Sequence, residues 1–243
     1  TPGGSTFAPV AAPVRRNPNF ANIRYKVADA QSFYDSLQIG VVARPSSGLQ
    51  AQLSYTLGKS TDDQSSSLGR TEFSNGQART VDPYNPRLNR GPSDFDVRHS
   101  LSVNFTWAIP FTADGPVGRV LGEGWQVSGI FTALSGVPMT PIFTFDQDRD
   151  ATTDNEQRPN LAPGLTAPRA IGRTQLFSAD DFVLPAIGTR GTFGRNQIWG
   201  PGLVTFDPAV SKQFYVDGDR RKSVQLRIEA FNVFNRANFA IPT

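Results

Sequence analysis

Six stretches of this chain alternate apolar and polar residues with a period of two, and the connections between them alternate short and long. In the clearest, from Ser223, the residues Val224, Leu226, Ile228 and Ala230 fall on one side of an extended strand and Gln225, Arg227 and Glu229 on the other. Earlier segments repeat the pattern: Leu37, Ile39 and Val41 against Ser36, Gln38 and Gly40, then Leu49, Ala51, Leu53, Tyr55 and Leu57 against Gln50, Gln52, Ser54 and Thr56. A third runs from about Val97 to Trp107, a fourth starts at Trp125, and a fifth lies near Leu203 to Phe214; Ile23 to Val27 is a weaker seventh candidate. A period of two over such lengths is the mark of half-buried strands.

The connections decide the architecture. ARPSSG, the turn from Pro110 to Gly124, and YVDGDRRK are short, whereas Gly58 to Asp96 and about Ser135 to Gly202 are long. Long loops therefore gather at one end of the strands and short turns at the other, as in outer-membrane barrels, and a compact soluble domain rarely holds two structureless loops of that size. Trp107, Phe111, Trp125 and Phe214 lie near the short-turn end, the arrangement expected of an interfacial aromatic girdle. The aliphatic face is accordingly expected to meet lipid and the polar face, with Gln38, Gln52, Asn104, Gln126, Arg227 and Glu229, to line a lumen. A soluble or surface β-sandwich, adhesin-like and recognising partners through its loops, is the alternative, since it would bury the same aliphatic face in a core.

Composition is compatible with both. With 22 Gly, 19 Pro and 18 Phe against a single Met, the chain favours strands and turns, and it offers no convincing amphipathic helix. A net charge of +3 is spread over interspersed acids and bases, so no nucleic-acid partner is expected. The absence of Cys excludes disulfides and thiolate chemistry. No apolar run approaches the roughly 18 residues of a transmembrane helix, which leaves a membrane barrel untouched. The sequence begins at Thr1 in a Gly/Pro-rich segment and stops at FAIPT, and reads as a piece of something longer.

The runs SFYDSLQIGVVARPSSGLQAQLSYTLGKSTDD, DFDVRHSLSVNFTWAIPF, GWQVSGIFTALSGVPMTP, GRNQIWGPGLVTFDPAVSKQF and LRIEAFNVFNRANF resemble, in order, the barrel of TonB-dependent outer-membrane transporters, and are most similar to the Oar-like subgroup. The resemblance covers most of the chain from about Asn17. It implies a barrel of about 22 strands that encloses a plug domain, contacts a TonB-type energy-coupling protein and takes up a small ligand across the bacterial outer membrane. Plug, coupling segment and terminal aromatic strand are not visible in these residues. The expected fold is thus all-β: about six to eight strands of an antiparallel up-and-down transmembrane β-barrel, with two long extracellular loops. Residues 1–30 are read as a loop and weak strand, 36–57, 97–134 and 203–236 as hairpins, and 58–96 and 135–202 as the long loops of one partial barrel domain spanning 1–243.

Candidate chemistry is sparse. In FDQDRDATTDNEQRPN the acids Asp146, Asp148 and Asp150 recur every second residue, followed by Asp154, and such spacing resembles the opening of a calcium loop. The sixth position is Ala151 instead of Gly, the twelfth is Gln157, and no helix pair flanks the segment; a solvated acidic loop is the competing reading. His99 is the only histidine, so no catalytic triad or imidazole cluster can be built, and no GxSxG elbow occurs. The expectation is a non-enzymatic protein without a cofactor, apart from Ca2+ at this loop. Arg70, Tyr84, Arg149 and Trp199 are loop residues placed to meet a ligand.

Overall fold

The computed structural model describes residues 17, 19, 29–65, 80–82, 85–112, 114–149, 156–169, 172, 176–216 and 222–240. Six long strands form one antiparallel sheet: β1 (Ser32–Ser46), β2 (Leu49–Asp62), β3 (His99–Ala108), β4 (Trp125–Leu134), β5 (Leu203–Tyr215) and β6 (Ser223–Glu229). Each pairs with its neighbours in chain order, and among the described residues the sheet is open, with β1 and β6 at its edges. The weak candidate Ile23 to Val27 lies outside the described residues.

The register settles which residues share a face. Cross-strand partners point to the same side, and the pairs run Leu37 with Leu57, Ile39 with Tyr55 and Val41 with Leu53. Leu53 then pairs with Val103, Val103 with Phe131, and Phe131 with Phe206. The row through Trp107, Val127, Val210 and Ile228 runs parallel to it. One side of the whole sheet is therefore aliphatic and aromatic. The opposite side carries Gln52 beside Asn104, Thr106 beside Ser128, and Gln126, Ser211 and Arg227 in one row.

No second layer covers the aliphatic side among the described residues, so the sandwich alternative does not hold. Leu37 is 56% exposed, Val224 54%, Leu226 60% and Ile228 77%. Among the described residues the buried hydrophobic side chains are Val81, Phe193, Ile198 and Ala209, while Asp62, Asp96, Asn89, Asp148, Arg158, Asp181 and Arg195 are all buried. That inverts the usual distribution of a water-soluble protein, in which ionised groups stay outside. From Leu49 to Leu57 the apolar positions of β2 span about 27 Å along the strand. Tilted as barrel strands are, that gives about 21 Å across a membrane, close to the roughly 25 Å apolar band of outer-membrane barrels.

Three departures from the sequence reading have physical causes. The strands β1 and β2 run beyond the apolar band to Ser32 and Asp62, where Asp35 faces Lys59: the backbone ladder continues in water after hydrophobic alternation has stopped. At the far end β6 stops at Glu229 and does not continue to residue 236, because Asn232 and Asn235 adopt left-handed backbone and the Asn232 amide donates to the Asp207 carboxylate at 2.6 Å. The short connection after β3 holds an eight-residue helix, α1 (Gly115–Gly122), where no helix was expected. Its register with the sheet is fixed by Gly124, whose φ of +79° and position against the Gln213 carbonyl leave no room for a side chain.

Candidate functional site

The long loops are not structureless. Gly91–Pro92 adds to β2, Pro138–Met139 pairs with Ile198–Trp199, and Asn160–Leu161 pairs with Phe182–Val183. Phe182 lies edge-on between Phe177 and Phe193, at 5.4 and 5.3 Å between ring centres. More telling is what joins one loop to the other. The guanidinium of Arg195 binds the buried Asp62 carboxylate, donates to the Asp62 carbonyl at 3.0 Å and reaches Ser65 Oγ at 3.2 Å. The side-chain amide of its neighbour Asn196 donates to the Pro92 carbonyl at 2.8 Å and to Asp94 at 2.6 Å.

Two further cations repeat the bridge. Arg158 donates to Asn89 Oδ1 at 2.5 Å, and Asn89 in turn donates to the Asp63 carbonyl at 2.8 Å. Arg190 lies 2.5 Å from Asp82 and 3.2 Å from Asp148. Three arginines of the second loop thus hold groups of the first, most of them away from water, where charge-assisted contacts are stronger than on a surface. The outcome is one folded layer over the long-loop end of the sheet.

Within that layer Asp181 is enclosed. Burial pushes its carboxyl toward a higher pKa, but the Arg169 amide at 2.8 Å, the Arg169 guanidinium and the Ser178 contact outweigh this and hold it below the usual carboxylate value of 3.8.

Below the layer the polar side of the sheet carries a groove of about 410 Å3 lined by Asn104, Gln126, Asp207, Arg227 and Glu229 among others. Arg227 pairs with Glu229 along the same strand. Four of the residues expected to line a lumen, Asn104, Gln126, Arg227 and Glu229, therefore come together here, and Gln52 stands next to Asn104. Asp207, which closes one side, was not singled out from sequence, because the Asp-Pro step of β5 interrupts its alternation.

Part of the acidic stretch lies among the described residues. Both carboxylate oxygens of Asp148 are engaged, Oδ1 by the Gln157 amide at 2.8 Å and Oδ2 by Arg190. Asp146 sits in the same turn, and Asp150 and Asp154 lie outside the described residues. Among the described residues no three His, Asp or Glu side chains gather as metal ligands do. His99 opens β3 on the aliphatic side, where its Nδ1 meets the Tyr55 hydroxyl at 2.8 Å. Trp199 stacks on the Arg98 guanidinium at 5.2 Å, Arg149 adopts left-handed backbone, and Arg70 and Tyr84 lie outside the described residues.

Comparison with known proteins is in keeping with this geometry. A family model described as "Outer membrane beta barrel domain" matches residues 1–243. No curated protein and no solved structure matches the chain.

Proposed function

This chain belongs to the outer membrane beta barrel domain family, which locates it in the bacterial outer membrane, and we propose that it forms part of the wall of a TonB-dependent uptake receptor of the Oar-like type. The observation that carries the reading is the folded loop layer above a polar wall. Three arginine bridges between the loops, joining residues 69 to 133 positions apart in sequence and two of them buried, are more than a membrane anchor needs. They suit a receptor that must present a defined surface to a ligand outside the cell and a hydrophilic path beneath it. The chain then performs no covalent chemistry: the loops capture a small ligand, the groove with Asp207, Arg227 and Glu229 faces the passing solute or a plug domain, and a TonB-type protein supplies the energy.

Two measurements on the full-length protein test this. In cells, cysteine-directed cross-linking is expected to join it to the TonB-type protein. In planar bilayers it is expected to show no steady ion conductance, because a plugged receptor is closed at rest. A steady open-pore conductance together with no cross-link would identify a passive channel instead.

A further inference from the structure

Helix α1 presents Val117, Val120 and Leu121 to solvent, at 70%, 54% and 65% exposure. Their spacing of three and four residues puts them on one face, and Arg119, two residues from Val117, falls on the other. An apolar stripe on so short a helix has no stability of its own in water, so its position must come from what holds it.

That position is defined by the aliphatic side of the sheet. The Trp125 indole donates to the Leu121 carbonyl at 2.8 Å, satisfying one of the groups a helix C-terminus leaves without a partner. The Lys212 ammonium donates to the Glu123 carbonyl just beyond the helix. Trp125 and Lys212 are cross-strand partners in the same row, on the face that carries Val127, Val210 and Ile228. Lys212 is enclosed between two rings, 5.3 Å from both Trp125 and Phe214. An aromatic pair around a lysine with an aliphatic stem is the composition of a membrane interface, where rings and a cation sit at the headgroup level.

We propose that α1 is an interfacial helix, lying in the periplasmic leaflet of the outer membrane with Val117, Val120 and Leu121 inserted at the boundary between headgroups and acyl chains and Arg119 turned to the aqueous side. The inference rests on the barrel reading, since it takes the sheet's aliphatic face as the lipid boundary. Its occupant is phospholipid because the residues that cap the helix, Trp125 and Lys212, belong to the lipid-facing row. Amphipathic helices held this way insert their apolar face only shallowly.

These 243 residues hold no cysteine, so once any cysteine elsewhere in the full-length protein is replaced by serine, single cysteines report from known positions. Full-length protein carrying Val117→Cys, Val120→Cys, Leu121→Cys, Arg119→Cys or Ile39→Cys, each labelled with an NBD fluorophore, would be reconstituted in phosphatidylethanolamine/phosphatidylglycerol vesicles. Quenching by aqueous iodide and by a lipid bearing a nitroxide near the headgroup is then compared. The labels at 117, 120 and 121 are expected to be quenched by the nitroxide lipid and to resist iodide about tenfold better than the label at 119.

Equal iodide quenching at 117, 119, 120 and 121, with Ile39→Cys still protected, would overturn the helix assignment alone. Protection from iodide without nitroxide quenching would mean that protein covers the helix, which also overturns it. If Ile39→Cys is itself open to iodide, the barrel reading underneath has failed.

Discussion

Arg195 stands where the two long loops meet, and it is nearly fully buried against a carboxylate that is equally buried. Removing one partner of such a pair leaves the other charge uncompensated, at a cost of about 3–5 kcal/mol. Arg195→Met is therefore expected to loosen the loop layer, read as faster cleavage of residues 63–98 and 135–202 by protease added to intact cells. The double variant with Asp62→Leu should be less damaged than either single change; additive damage would argue against a direct pair. Asp181 makes a prediction of opposite kind. Its folded-state pKa is lowered, so its contribution is complete above the ordinary carboxylate range and is lost as pH falls through the lowered value. Hydrogen exchange around residues 162–183 should rise on strong acidification in the wild type, and Asp181→Asn should flatten that dependence.

At the scale of the strand, the claim is that two neighbouring residues live in different solvents. Leu53 stands mid-band on the aliphatic face, opposite Val41 and Val103, and Gln52 stands beside it on the polar wall. Leu53→Arg is expected to cost about 2–4 kcal/mol, as cations do at the bilayer midplane on a barrel's outer face. Gln52→Arg should change stability little. Urea titrations of the folded protein in vesicles measure both, and similar costs would remove the distinction. A neighbouring device is Gly129, where a methyl would come within 2.8 Å of both Phe105 and Phe206, so the two rings fill the space over the missing side chain. Gly129→Val should displace them and slow assembly into the membrane.

These strands were legible because alternation with period two is a local signal, and because short and long connections sort the two ends. What escaped was set by distance or by the environment. Asp62 and Arg195 are 133 positions apart, and no pattern in either neighbourhood announces the bond. GPVGRVLG has three glycines and one proline in eight residues, a poor helix by propensity, yet the Trp125 indole and Lys212 ammonium at its end hold it. In the acidic stretch from Asp146, Asp148 is engaged by Arg190 and Gln157, 42 and 9 positions away, contacts that the spacing does not announce.

For the whole molecule, buried ions, exposed aliphatics and one uncovered sheet make sense only if the solvent is different on the two faces. The backbone groups along the outer edges of β1 and β6 need partners in hydrocarbon, where each unpaired group costs several kcal/mol, roughly. The 243-residue segment expressed by itself is therefore expected to aggregate or to require detergent, and a sharp monomer peak in detergent-free size-exclusion chromatography would contradict this. The most direct test of the two-solvent account is spin-label accessibility along β2 in bilayers, one nitroxide at a time from Leu49 to Leu57. Collision with oxygen should peak at residues 49, 51, 53, 55 and 57, and collision with a water-soluble nickel chelate at 50, 52, 54 and 56, out of phase throughout. Low accessibility to both agents at Ala51, Leu53 and Tyr55 would mean that these side chains are packed in a protein core, and the account would be wrong.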